Sequence, residues 1–103
     1  MHTNDIEKNL PTSHTLFTAY PNPFNPATKI QYFLSNPEYV NINIYDVMGR
    51  KIKSLINNKH EAGYSSIIWD ATDDLGHQVA AGMYIYTIQA VDFIQARKII
   101  LLK

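Results

Sequence analysis

The densest group of side chains able to do chemistry is Asp70, Asp73 and Asp74 with Gly76, in the string Trp69-Asp-Ala-Thr-Asp-Asp-Leu-Gly76. Carboxylate oxygens gathered at a glycine turn are the hard ligands that calcium takes. The spacing lacks the alternating ligands and the distal bidentate glutamate of a calcium-binding loop. Capped turns are therefore expected here, with no metal and no other cofactor. His2, His14, His60 and His77 stand too far apart to pair at metal-ligand spacing, and His60 and His77 fall in expected loops where a solvated ring is the ordinary outcome. Ser65-Ser66 lacks the Gly-x-Ser-x-Gly elbow that exposes and activates a nucleophile. Asp46 has no acid or base partner nearby in the chain. The expected class is a non-enzyme.

Composition narrows the partners. The 103 residues suffice for one domain with a single core, and nine Lys plus Arg balance nine Asp plus Glu. No net field draws such a chain to nucleic acid or to an anionic membrane. Lys51, Lys53 and Lys59 form a small basic patch with little aromatic surface between them, which suits a protected sheet edge better than a nucleic-acid track. Cysteine is absent, so neither disulfides nor thiolate chemistry can contribute. The longest fully apolar run, Ile99 to Leu102, is far short of the roughly 20 residues a bilayer-spanning helix needs. Met1 to Ser13 is too polar for a signal peptide and reads as a linker without fixed structure.

The elements that must position these residues are strands. From Thr15 onward, Leu16–Tyr20, Thr28–Leu34, Tyr39–Tyr45, Arg50–Ile56, Ser65–Trp69, Met83–Val91 and Gln95–Lys103 are each bounded by Pro, Asn or Gly. In the third, Val40, Ile42 and Ile44 share one parity while Asn41 and Asn43 share the other, which gives a buried and a wet face at period two. Leu55-Ile56 breaks the alternation begun at Ile52, which signals a bulge or the end of that strand. No segment sustains a 3.6-residue period. The expected fold is all-β, a single antiparallel immunoglobulin-like β-sandwich of about seven strands over residues 14–103, and a monomer. Trp69, Tyr84, Ile42, Ile44, Ile67 and Ile30 are its expected core.

Short punctuated strings separate these strands. In Tyr20-Pro21-Asn22-Pro23-Phe24-Asn25-Pro26, three prolines remove ladder donors, so the stretch cannot be a central strand. Asn22 and Asn25 precede prolines and are expected extended, their amides capping nearby backbone, and Phe24 is expected to plug one end of the sandwich. Asp46-Val-Met-Gly49 has turn chemistry, a carboxylate to accept from N–H groups two residues on and a glycine free to take positive φ. Gly82 opens a strand with large apolar groups on both parities, suited either to a central position or to a face kept for a partner.

Taken in order over Leu16 to Lys103, these strings closely resemble the type A C-terminal sorting domain of proteins exported by the type IX secretion system of Bacteroidetes-like bacteria. The resemblance rests on Pro21 to Pro26 near the start, Tyr45-Asp46-Val-Met-Gly49-Arg50 in the middle, Gly82-Met-Tyr84, and the terminal Lys98-Ile99-Ile100-Leu101-Leu102-Lys103. It implies a secretion signal at the end of an upstream cargo protein, whose own signal peptide lies far upstream. It further implies recognition by an outer-membrane translocon and removal or cell-surface anchoring by a sortase-like peptidase. The location implied is secreted or cell-surface, reached through the periplasm, with the terminal strand as the export signal. Trp69 to Tyr84 also nearly matches the immunoglobulin-like domain of flagellar hook-capping proteins, which would make the chain a structural assembly module. A third reading, a carbohydrate-binding sandwich, needs exposed coplanar aromatics, for which Tyr32, Tyr39, Tyr45 and Tyr64 are the candidates.

Overall fold

The computed structural model describes residues 13–102. The linker expected over residues 1–13, apart from Ser13, and the expected recognition residue Lys103 lie outside them. Seven strands follow in chain order: β1 (Thr15–Leu16), β2 (Thr28–Leu34), β3 (Glu38–Asp46), β4 (Lys51–His60), β5 (Gly63–Trp69), β6 (Gly82–Ala90) and β7 (Phe93–Leu101). They form a three-stranded sheet ordered β1-β2-β5 and a four-stranded sheet ordered β4-β3-β6-β7, with every strand pair antiparallel. This is the immunoglobulin-like sandwich expected from the period-two pattern.

Parity puts one face of each strand between the sheets. Val40, Ile42 and Ile44 of β3, Tyr84, Tyr86 and Ile88 of β6, and Ile30 and Tyr32 of β2 are buried there with Trp69. Ile67 is only partly buried against this core, because β5 is the outer strand of the smaller sheet. β6 is central, between β3 and β7, so its second apolar parity is the outer surface of the sheet rather than a second core.

Strand lengths depart most from the sequence reading in β4 and β1. β4 bulges at Leu55, where Ile42 pairs with Ile56 and Asn43 with Ser54, and a second irregularity at Ile52 falls between Ile44 and Tyr45. The strand then continues through polar Asn57 to His60, as an edge strand with one wet flank can. His60 is consequently no loop residue: it closes β4, and its Nδ1 sits 2.6 Å from the hydroxyl of buried Tyr32. The first strand shrinks to Thr15–Leu16, after which Phe17 N–H, the Tyr20–Lys29 bridge and the Thr28 hydroxyl donating to Pro21 O hold the chain to β2.

Candidate functional site: the motif pole

The strings scattered along the sequence meet at one end of the sandwich. The ends of β3, β5 and β7 and the starts of β2, β4 and β6 all lie at this pole. Pro21 to Pro26 crosses it through a series of bends and delivers Phe24, almost fully buried, between the sheets. The Phe24 ring lies 5.5 Å from Trp69, and Trp69 meets Tyr84 edge-on at 5.3 Å. Such tilted and edge-on pairs satisfy the ring quadrupoles while burying large apolar area. The indole N–H donates to Thr72 O at 2.9 Å, and the Tyr84 hydroxyl donates to Ala80 O at 2.6 Å, so the aromatic plug strands no polar group. Burial, and secondarily the Asp46 carboxylate, push the Tyr84 phenol above its ordinary range.

The same segment clasps the terminal strand. Phe24 N–H donates to Ile100 O at 2.9 Å, and Leu102 N–H donates to Phe24 O at 2.8 Å, a short parallel bridge on the outer edge of β7. The Asn22 amide extends it, accepting from Ile100 N–H at 3.1 Å and donating to Lys98 O at 3.2 Å, across 76 to 78 residues of sequence. Asn22 was expected to cap nearby backbone; instead it caps a distant edge, because the Pro–Asn–Pro bends turn its side chain toward β7. Asn25 is exposed and caps nothing among the described residues. Of the terminal residues, Ile99 and Leu101 are buried in the core, whereas Lys98, Ile100 and Leu102 are exposed. Pro21, Pro23 and Pro26 are exposed on the crossover.

Two loops at this pole are built alike. Asp46 Oδ1 accepts from Met48 N–H and Arg50 N–H at 2.9 and 3.0 Å, with Gly49 at φ 85°. Asp73 Oδ1 accepts from Leu75 N–H and His77 N–H, both at 2.9 Å, with Gly76 at φ 86°. In each loop the glycine N–H donates to the aspartate O, and the aspartate N–H donates to the O of the residue four positions on. The pattern is Asp-x-x-Gly-x closed by a basic side chain, Arg50 Nε at 2.8 Å from Asp46 and the His77 ring at 3.9 Å from Asp73. Backbone N–H donation from Arg50 and from His77, respectively, holds the two carboxyls below the usual aspartate range. Sequence reading identified both as turns but missed their identity; the shared spacing Asp-x-x-Gly was the signal available.

These bonds also account for the acidic cluster. Asp70 accepts from the Thr72 hydroxyl, Asp73 from two backbone N–H groups, and Asp74 Oδ1 from Ser54 N–H at 3.0 Å. The Asp74 carboxylate and its backbone N–H, bonded to Ile52 O, fasten the loop to β4, where Lys53 also donates to Asp73 O at 3.2 Å. Among the described residues no group of three metal-ligating side chains converges. A depression of about 280 Å³ lies between the Asp46 loop and the Ala81–Tyr84 stretch, lined by Val47, Met48, Arg50 and Met83 among others. The aromatic platform considered for sugars does not assemble. Tyr32 is in the core, Tyr39 and Tyr45 lie on β3 of the four-stranded sheet, and Tyr64 on β5 of the other.

Comparison with solved structures agrees with the observed architecture. The chain is similar to dimeric latent PorU from Porphyromonas gingivalis (TM-score 0.68, 22% identity), covering 86% of this chain and 9% of that one. PorZ, described as an essential bacterial surface component of the type IX secretion system of the same organism, gives TM-score 0.59 at 19% identity, over 84% of this chain and 11% of PorZ. FlgD from Xanthomonas campestris, a hook-capping protein of flagellar assembly, gives TM-score 0.59 at 26% identity, over 86% of this chain and 67% of FlgD. The chain thus spans about a tenth of the length of PorU and PorZ. No curated protein matches it. Residues 25–92, most of the described sandwich, match the family model for the FlgD Ig-like domain, and the chain belongs to that family.

Proposed function

We propose that this domain is a non-catalytic sorting module of the type IX secretion system, carried by an upstream cargo protein and read at the outer membrane by the translocon. After translocation, a sortase-like peptidase removes it or exchanges it for a surface anchor. Its place of action is then the periplasm and the cell surface. The observation that carries the reading is the clasp. The opening string supplies Asn22 and Phe24, and these cover the Ile100 and Leu102 edge of the closing string. Strings kept for turn chemistry alone would have no need to meet, whereas strings that together form one recognition surface must. The likeness to part of PorZ, a type IX surface component, adds support at the level of the fold.

A second reading, a structural assembly module of the hook-capping type, is favoured by the family match over residues 25–92. One experiment separates the two. The full chain is fused behind a periplasm-targeted fluorescent protein in a bacterium that has the type IX system. Export of the reporter to the surface or medium is expected. A reporter that stays periplasmic, while an authentic sorting domain exports it, would overturn the sorting reading in favour of the assembly module.

A further inference from the structure

The clasp changes what a partner can touch. Strand addition along an exposed edge is a common way for proteins to capture one another. On β7, however, the backbone groups from Lys98 O to Leu102 N–H are already bonded to Asn22 and Phe24. The terminal string therefore offers a partner side chains rather than edge, and those that face outward are Lys98, Ile100 and Leu102.

Register shows what surrounds them. Residues directly opposite one another in a sheet share a face. Lys51 pairs with Tyr45, Tyr45 with Ile85, and Ile85 with Lys98, one row across all four strands. The lysines at its two ends are exposed, while Tyr45 and Ile85 between them are half-buried. With strands spaced about 4.8 Å apart, the lysine Cα atoms stand roughly 14 Å from each other. The neighbouring row toward the pole is apolar, Met83 opposite Ile100. Neither Lys51 nor Lys98 has a carboxylate within ion-pair distance among the described residues. An apolar centre framed by two free cations is thus left on the outer face at the motif pole. Ser13 and His14, where the described residues begin, lie at the opposite pole beside Ser35 and Phe93.

The geometry points to this face as the docking surface for a partner protein that presents an apolar ridge flanked on both sides by carboxylates. The inference rests on the sorting reading and names the surface it uses. Charge complementarity selects the partner: buried apolar contact supplies affinity, while the flanking pairs fix orientation and reject wrong partners. A lipid surface fits less well, because Tyr45 and Ile85 at the centre of the face are half-buried between the two exposed lysines.

The test uses the same full-chain fusion. Lys51→Glu/Lys98→Glu places like charges against the partner, and export should fall by at least about tenfold at unchanged melting temperature. Lys51→Arg/Lys98→Arg should retain export, and Lys59→Glu, at the other end of β4, should leave it unchanged. Export that survives the double reversal overturns the surface while leaving the sorting reading intact, provided the unaltered fusion is exported. Equal loss with Lys59→Glu overturns it as a general charge effect. Binding of the purified chain to phosphatidylglycerol vesicles, abolished by the double reversal, would assign the face to lipid and overturn the protein partner. An unaltered fusion that is not exported sinks the sorting reading and this surface with it.

Discussion

At the motif pole Phe24, Trp69 and Tyr84 pack tilted and edge-on between the sheets, and two Asp-x-x-Gly loops close the strand ends around them. At the opposite pole the closures are single polar contacts between residues far apart in the chain. The Tyr32 hydroxyl meets His60 Nδ1, His14 Nδ1 accepts from Ser35 N–H at 3.0 Å, and the other nitrogen of His14 lies 3.6 Å from Glu38. The hairpin between β6 and β7 at this pole also holds a β-branched residue, Val91, at φ 56°. An aromatic plug and aspartate loops need particular residues at fixed spacing, so they surface in the sequence as strings. Isolated polar contacts do not.

The largest test of this contrast is Trp69→Ala. Removing the fully buried indole leaves Phe24 and Tyr84 without their shared neighbour and should cost roughly 3 to 5 kcal/mol in urea denaturation. His14→Ala at the other pole removes the Ser35 and Glu38 contacts and the edge-on packing against Phe93, and should cost about 1 to 2 kcal/mol. Comparable losses in the two variants would erase the distinction between the poles.

The twin loops come next in size. Gly49→Ala and Gly76→Ala force a Cβ into the left-handed region with no neighbour in the way, so each should destabilise by about 1 to 2 kcal/mol through backbone strain alone. Their losses should match within a few tenths of a kcal/mol, since the two loops share bonds and dihedral angles. A clear inequality in thermal melts would show that the loops are not one device. Val91→Gly should do the reverse and stabilise by about 1 kcal/mol, because a β-branched residue at positive φ is strained. Loss of stability in that variant would contradict the strain.

The smallest effect is in acid. The Asp46 and Asp73 carboxyls are held below the usual range in the folded protein, so their contribution is present above the ordinary aspartate value of about 3.9 and is lost as pH falls through the folded values. Asp46→Asn and Asp73→Asn keep an acceptor for the backbone but cannot titrate. Each should lower the melting temperature at pH 7, where the carboxylate's contribution is missing, and flatten its decline below pH 4. An unchanged acid limb in both would remove the carboxyls from the account.

Much of the sandwich was legible because period-two alternation is strict where one face is buried. Val40, Ile42 and Ile44 placed β3, and the broken alternation at Leu55-Ile56 marked a bulge in a strand that then continues. The tail of β4, Asn57 to His60, was hidden because an outer strand with polar side chains carries no hydrophobic pattern. Phe24 as an end plug could be read from its proline setting. The role of Asn22 could not, since nothing local in the sequence predicts a bond to a strand 76 residues away. Ile67 looked like full core by parity, and parity alone does not tell an outer strand from a central one.

The clasp is open to direct measurement by amide hydrogen exchange along β7. Alternate residues direct their backbone to the outer edge, and of these Ile100 and Leu102 donate to Asn22 and Phe24. Ile94 and Ala96 have no such partner among the described residues. Ile100 and Leu102 amides should therefore exchange as slowly as the sheet interior, Ile94 and Ala96 much faster, and Asn22→Ala should speed Ile100 while leaving Ile94 unchanged. Exchange at Ile100 and Leu102 as rapid as at Ile94 in the unaltered protein would mean that the terminal strand carries a free edge and that the clasp does not form.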